Sequence, residues 1–149
     1  MQIRIATRAD VPAVLGLLAD DDISRTRGFG SADIEPGIWA AFEAIDSDDR
    51  NYLIVAVDGD EVVGTCQLTF IPGLSRGGAE RMLIEAVRIS SARRGKGLGG
   101  ELMRWAIERA RARGCRIVQL TTDKRRTDAH RFYEALGFEA SHEGMKLLL

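Results

Sequence analysis

Residues 93–103 read Arg-Arg-Gly-Lys-Gly-Leu-Gly-Gly-Glu-Leu-Met, and no other stretch combines charge and backbone access so densely. Gly95, Gly97, Gly99 and Gly100 lack a Cβ, so an anion can approach the main chain closely. Arg93, Arg94 and Lys96 add full positive charges. An apolar run, 82–89, precedes the turn and reads as a strand. A helical pattern follows it to about Arg113. A strand-to-helix turn of this kind exposes several backbone N–H groups, and the helix dipole adds partial positive charge. The chemistry implied is a cradle for phosphate or pyrophosphate. Two glycine-rich loops do not fit it. A P-loop needs Gly-Lys followed by Ser or Thr, whereas Lys96 is followed by Gly97. A dinucleotide fingerprint belongs to a first βαβ unit, with an acid about twenty residues on. This turn comes late, and residues 113–116 begin and end in arginine where that acid should begin to appear.

The rest of the chain must position this turn. Its 149 residues suit one compact domain, 1–149, with a core that needs no staples. Cys66 and Cys115 lie inside strand-like runs and read as small core residues, neither a disulfide framework nor a metal set. The first residues lack the apolar stretch of a signal peptide, and no run approaches a membrane span, so a soluble cytoplasmic protein is expected. The net charge of −1 argues against general nucleic-acid binding. Its distribution is lopsided: residues 1–75 carry 5 basic and 13 acidic side chains, residues 76–149 carry 16 and 9. Such a molecule suits an anion on one side and a cation on the other.

The order of elements is legible. Residues 2–6 read as a strand, and Thr7 with Asp10 as a capping-box start. Val11, Val14, Leu15 and Leu18 recur at helical spacing, and the helix ends in Asp20, Asp21 and Asp22. Ser31 or Asp33 caps a second helix with Pro36 in its first turn. Its stripe is Ile38, Phe42 and Ile45, with Trp39 beside it as core or as substrate wall. Asp58-Gly59 predicts a hairpin. After it, residues 62–70 alternate, which predicts one core face and one more polar face beside a cleft. Gly114 should stop the helix after the turn. A strand over 116–122 then completes a parallel crossover. A basic loop, Lys124-Arg125-Arg126, leads to a last helical face of Ala129, Phe132, Tyr133 and Leu136, and residues 138–139 and 145–149 read as two final strands.

Two motifs within this order resemble a known family. Arg94, Gly97 and Gly99 match the pattern Arg/Gln-x-x-Gly-x-Gly/Ala. Ala129, Tyr133, Glu134, Gly137 and Phe138 match A-x-x-x-Y-E-x-x-G-F. Together, at this separation, they resemble the GCN5-related N-acetyltransferases (GNAT) from end to end of the chain. The resemblance implies an α/β (α+β) fold. Its mixed, mostly antiparallel sheet would have about seven strands and about four helices, and would splay between two central parallel strands. It also implies acetyl-CoA as acetyl donor and no metal. The donor's pantetheine arm would lie along Val87, Arg88 and Ile89, and its pyrophosphate on the amides of Arg94, Gly95, Lys96, Gly97, Leu98 and Gly99. Arg93 or the 124–126 run would meet the 3′-phosphate. Many members carry Asn where this chain has Arg126, which changes a polar contact to the cofactor arm.

The resemblance implies acetyl transfer to a primary amine. The amine must lose a proton first, since a free amine of pKa ~10.4 is mostly protonated at neutral pH. Glu85 interrupts the apolar run beside the cofactor segment and is the candidate base, acting through water; an ion pair or a place on the open sheet face is the alternative for it. The amide of Ile89 is a candidate donor to the tetrahedral intermediate. Tyr133 is the family-matched proton donor to the leaving thiolate, against a role as a core aromatic. His130 and His142 read as structural or surface residues. The acidic half, 20–22 above all, points to a small cationic amine as acceptor. Two other functions fit the same motifs: a protein or peptide N-acetyltransferase, and a non-catalytic acyl-CoA-binding sensor. The expected partners are a small-molecule amine and, as in many relatives, a second copy in a homodimer, with no nucleic acid and no membrane.

Overall fold

The computed structural model describes residues 1–20 and 34–149. Asp21 and Asp22, the glycines at 28 and 30, and the two candidate caps Ser31 and Asp33 lie outside the described residues. Met1–Gln119 and Leu120–Leu149 are two compact units. Four helices and five strands are found among the described residues.

In the first unit, β1 (Gln2–Ile5), β2 (Asn51–Asp58), β3 (Glu61–Ile71) and β4 (Arg81–Ile89) pair antiparallel in sequence order. β5 (Ile117–Leu120) lies next to β4 and completes a mixed sheet. Between β4 and β5 runs α3 (Leu98–Ala112), which stops before Gly114 as its sequence predicts. The expected hairpin is present, with Asp58 and Glu61 as the closing pair and Gly59 at φ +61°.

The sheet is covered on both faces. Val55 packs with Val14 of α1 (Val11–Leu18), and Leu53 also meets the cluster of Val11, Ile34 and Phe42 that includes α2 (Pro36–Asp46). Ala56 and Val63 pack with Leu98 of α3 on the other face. This corrects the expectation of one polar face along β3. A bulge inserts Val63 opposite the Ala56–Val57 step, so the alternation changes phase there. Thr65 is then fully buried and satisfies its hydroxyl by donating to the Ile54 carbonyl at 2.8 Å. Trp39 packs against the Val11–Ile34–Phe42 cluster with the Arg8 guanidinium 4.2 Å over its ring, the core reading of the two offered by its position. The capping box forms as predicted: Thr7 N–H donates to Asp10 at 2.7 Å, and Arg4 grips both oxygens of the same carboxylate at 2.7 and 3.1 Å.

The second unit is built on α4 (Thr127–Ala135). The two final strands expected at 138–139 and 145–149 are absent, so the sheet has five strands, not about seven. Phe138 cannot start a strand because its N–H closes the helix on the Tyr133 carbonyl at 3.1 Å. Met145, Leu147, Leu148 and Leu149 are apolar yet fully exposed, and an apolar run without a pairing partner does not become a strand. No described helix is long and apolar enough to cross a membrane.

Candidate functional site

The site begins with a defect in β4. Gln67 faces Glu85 and Thr65 faces Arg88, so β4 takes three steps where β3 takes two. The extra residue makes a bulge, and Ala86 within it has φ +53°, a left-handed conformation that a non-glycine residue adopts only at a cost. Nothing in the sequence marks this position, since alanine is not a turn residue. The bulge leaves Glu85 and Arg88 on one face of the sheet three positions apart. Through Gln67 and its partner Leu53, that face is the one α1 and α2 cover. Glu85 is exposed and makes no salt bridge to any described residue, so the ion-pair alternative for it has no partner there.

Beyond the bulge the strand edge changes use. Ser90 N–H donates to the Val63 carbonyl at 2.9 Å, toward β3. Strand alternation therefore sends the N–H and C=O of Val87 and Ile89 away from β3. Their carbonyls are met by guanidinium groups: Arg88 donates to Val87 O at 2.9 Å, and Arg94 Nε to Ile89 O at 3.2 Å.

The glycine turn follows through a short 3-10 turn, Ser91–Arg93. Gly95 and Gly97 have φ +76° and +81°, which explains why glycine is needed at both. A Cβ at either would meet open space, so the constraint is backbone conformation and not crowding. Gly97 is the N-cap of α3, and the helix's first backbone bond runs from Glu101 N–H to the Gly97 carbonyl at 3.1 Å. None of the backbone N–H groups of Arg94, Gly95, Lys96 and Gly97 donates to another described residue. The first-turn N–H groups of α3 add to them, as helix geometry requires. Residues 94–97 are exposed, while Leu98 is buried and anchors the turn on the Ala56–Val63 cluster. Such a turn suits the phosphates of a nucleotide-bearing ligand: many donors, positive partial charge and two nearby cations, Arg94 and Lys96.

The structure thus brings Glu85, Val87, Arg88, Ile89 and residues 94–99 together in one continuous stretch of the first unit. Arg93 is engaged elsewhere: its guanidinium is hydrogen-bonded to Asp58, and to Glu61 at 3.3 Å. Asp20 accepts from Ser91 N–H at 3.1 Å. Cys66 is buried, which pushes its thiol up to about 12, in keeping with a core residue and not a nucleophile.

Tyr133 and Arg126 belong to the second unit. α4 ends in a Schellman closure: Gly137, at φ +98°, donates to Glu134 O at 3.0 Å, and Phe138 donates to Tyr133 O at 3.1 Å. The Phe138 ring folds back edge-on to Tyr133, centroids 5.9 Å apart, and the Phe132 ring also meets Tyr133 edge-on, centroids 5.1 Å apart. The spacing Y-E-x-x-G-F therefore has a local physical meaning: glycine and phenylalanine cap the helix and orient the tyrosine. In the basic run, Lys124 pairs with Glu143 and Arg125 with Asp123, while Arg126 has no ion-pair partner among the described residues.

This glycine turn, bulged strand and capped tyrosine helix stand in a chain whose residues 19–138 match the sequence model of the Acetyltransferase (GNAT) family. The chain belongs to that family. A crystal structure described as a transcriptional regulator from Bacillus halodurans C-125 is 49% identical, with a TM-score of 0.92 over 99% of both chains. Among curated proteins, an aminoalkylphosphonate N-acetyltransferase of Salmonella typhimurium is 45% identical over 33% of this chain and 32% of its own. A glucosamine 6-phosphate N-acetyltransferase of Trypanosoma brucei brucei is 36% identical over 58% of this chain and 56% of its own. The chain thus spans about a third to just over half the length of these two curated relatives.

Proposed function

We propose that the protein transfers the acetyl group of acetyl-CoA to a primary amine on a small molecule. The observation that carries this reading is the run of N–H groups of residues 94–97 that donate to no other described residue, continued by the first turn of α3, directly after a bulged strand in a GNAT chain. The residues fit the donor. The turn amides of 94–99 would hold its pyrophosphate, with Arg94 and Lys96 as counter-charges. The outward-facing backbone of Val87 and Ile89 would bind the pantetheine arm as an added strand does. Arg126 is the cation of the 124–126 run best suited to a phosphate, because Lys124 and Arg125 already have acid partners.

Acetyl-CoA supplies an activated thioester carbonyl. Glu85, exposed and beside the bulge, takes the amine's proton through water. The Ile89 N–H, aimed away from β3, stabilises the developing oxyanion. Tyr133, held by its two aromatic neighbours, gives its proton to the departing thiolate. Both relatives named above are N-acetyltransferases of amino compounds, which favours a small-molecule acceptor over a peptide. The excess of acids in residues 1–75 favours an acceptor with positive charge.

One observation favours a second reading, a non-catalytic acyl-CoA sensor: the 49%-identical structure is described as a transcriptional regulator. A single experiment separates the two. Acetyl-CoA is offered with a panel of polyamines, aminoglycosides, amino sugars and aminophosphonates, reading free thiol release, with acetyl-CoA affinity measured in parallel by calorimetry. Turnover of at least one amine is expected. Tight acetyl-CoA binding with no acceptor turned over would favour the sensor. Gly97→Asp puts a side chain and a negative charge at a left-handed residue of the turn. It should abolish acetyl-CoA binding in a folded protein, and unchanged affinity would remove the site from this turn.

A further inference from the structure

The β2–β3 hairpin carries a conflict that it cannot resolve alone. Asp58 and Glu61 are direct cross-strand partners at its closing pair, and like charges in that position repel. Arg93 lies between them, hydrogen-bonded to Asp58 through Nη1 and to Glu61 through Nη2 at 3.3 Å. The acids and the arginine make sense only as a set, and the set joins the hairpin to the residue that opens the glycine turn.

The turn needs such a tie. A loop that offers its N–H groups to an anion cannot also use them to hold itself in shape. Among the described residues the backbone bonds near it stop at Ser90 N–H to Val63 O and Arg93 N–H to Ser90 O, and resume only at Glu101. Side chains fill the gap. Asp20, just past the end of α1, accepts from Ser91 N–H at 3.1 Å on one flank. Arg93 grips the hairpin on another. We propose that Arg93 is a positioning residue for acetyl-CoA binding, with Asp58 and Glu61 as its anchor and Asp20 as a second tether. It fixes the geometry of the N–H cradle without touching the ligand. The proposal rests on the reading of this turn as the acetyl-CoA site.

The alternative, Arg93 as a direct phosphate ligand, predicts the opposite sign in one experiment. Releasing a phosphate ligand from two competing carboxylates should leave acetyl-CoA affinity unchanged or raise it. Releasing a positioning residue from its anchor should lower it. Calorimetry with acetyl-CoA on the parent, Arg93→Ala, the Asp58→Asn/Glu61→Gln pair and the triple combination makes the comparison. We expect the dissociation constant to rise roughly 5- to 30-fold in each, with the triple no worse than Arg93→Ala, because preorganisation is lost once. The KM for acetyl-CoA should follow it, with kcat at saturation moving far less. Parent-like or tighter binding by the Asp58→Asn/Glu61→Gln pair overturns the proposal. Amide exchange at Ser90, Ser91 and Arg93, measured without ligand, tests the tie independently: Arg93→Ala should speed it. Unchanged exchange sinks the tie even if acetyl-CoA binds. Faster exchange in Arg93→Ala, in a protein whose parent binds no acetyl-CoA, keeps the tie and sinks only the reading of the site.

Discussion

Tyr133 and Glu85 carry opposite duties in the proposed reaction, and each can be altered by a near-isosteric change. Tyr133→Phe keeps the ring that Phe132 and Phe138 contact and removes the phenolic hydroxyl with its proton. An ordinary phenol, pKa near ~10, is protonated at neutral pH and can donate to a thiolate whose parent pKa is about 8.5. General acid–base groups contribute roughly 10²–10⁴-fold. Steady-state kinetics of Tyr133→Phe should show kcat lower by that range and acetyl-CoA affinity within a few-fold. Parent-like turnover, with chemistry shown to limit kcat, would make Tyr133 a packing residue. Glu85→Gln should lower the rate most at low pH, where the amine is most protonated, and raising the pH should recover part of the loss. A loss that is the same at every pH would argue that Glu85 only shapes the acceptor pocket.

At the scale of elements, the capped helix α4 and the bulged strand β4 show what a sequence reveals and what it hides. The Schellman closure at Gly137 is written in residue types, because only glycine takes φ +98° without strain. Gly137→Ala should cost about 1–2 kcal/mol and speed amide exchange at Phe138, whose N–H depends on the closure. Phe138→Ala keeps the closure but removes the ring beside Tyr133. It should lower kcat more than it lowers stability, and an equal loss in both would detach the cap from the chemistry. The glycine turn at 95 and 97 and the Asp58-Gly59 hairpin were equally legible, for the same reason. The bulge at Ala86 was not, since a left-handed alanine is imposed by pairing on β3 and leaves no trace in residue type. The bulge at Val63 reversed the alternation of β3 in the same silent way. The largely apolar stretch 145–149 misled in the other direction, because hydrophobicity predicts burial only where a partner exists. Arg93 could be recognised as a cation near the turn, but its partners lie 35 and 32 positions earlier, a distance that sequence patterns do not report.

At the scale of the whole molecule, part of the charge asymmetry between the first and second halves of the sequence is consumed internally. Arg93 meets Asp58 and Glu61; Arg113, by contrast, reaches neutral groups of the first half, the Asp49 carbonyl at 2.7 Å and the Tyr52 hydroxyl at 3.4 Å. Arg113 also joins Glu80 at 2.9 Å and stacks 4.2 Å over the Phe70 ring. It thereby ties the end of α3 to β2, β3 and the segment before β4. Its hydrogen bond to Glu80 is the main reason that carboxyl is held below its usual range, as the Arg4 hydrogen bond holds Asp10 below its own. A carboxyl lowered on folding stabilises the native state above its unfolded pKa, and that contribution is lost as pH falls through the lower folded value. Urea midpoints should therefore be flat near neutrality and fall below about pH 4, where ordinary carboxyls titrate. Arg113→Ala should cost about 1–3 kcal/mol at pH 7, from the lost charge-assisted bonds and the lost stacking. Arg113→Lys should recover only part, because an ammonium cannot serve a carboxylate, a carbonyl and a ring from one plane. The difference between parent and Arg113→Ala should narrow as pH falls below the ordinary carboxyl range to where Glu80, held lower by Arg113, takes its proton, since protonated Glu80 no longer distinguishes them. A gap that stays constant down to that pH would assign the stability of this corner to packing on Phe70, with Glu80 a bystander.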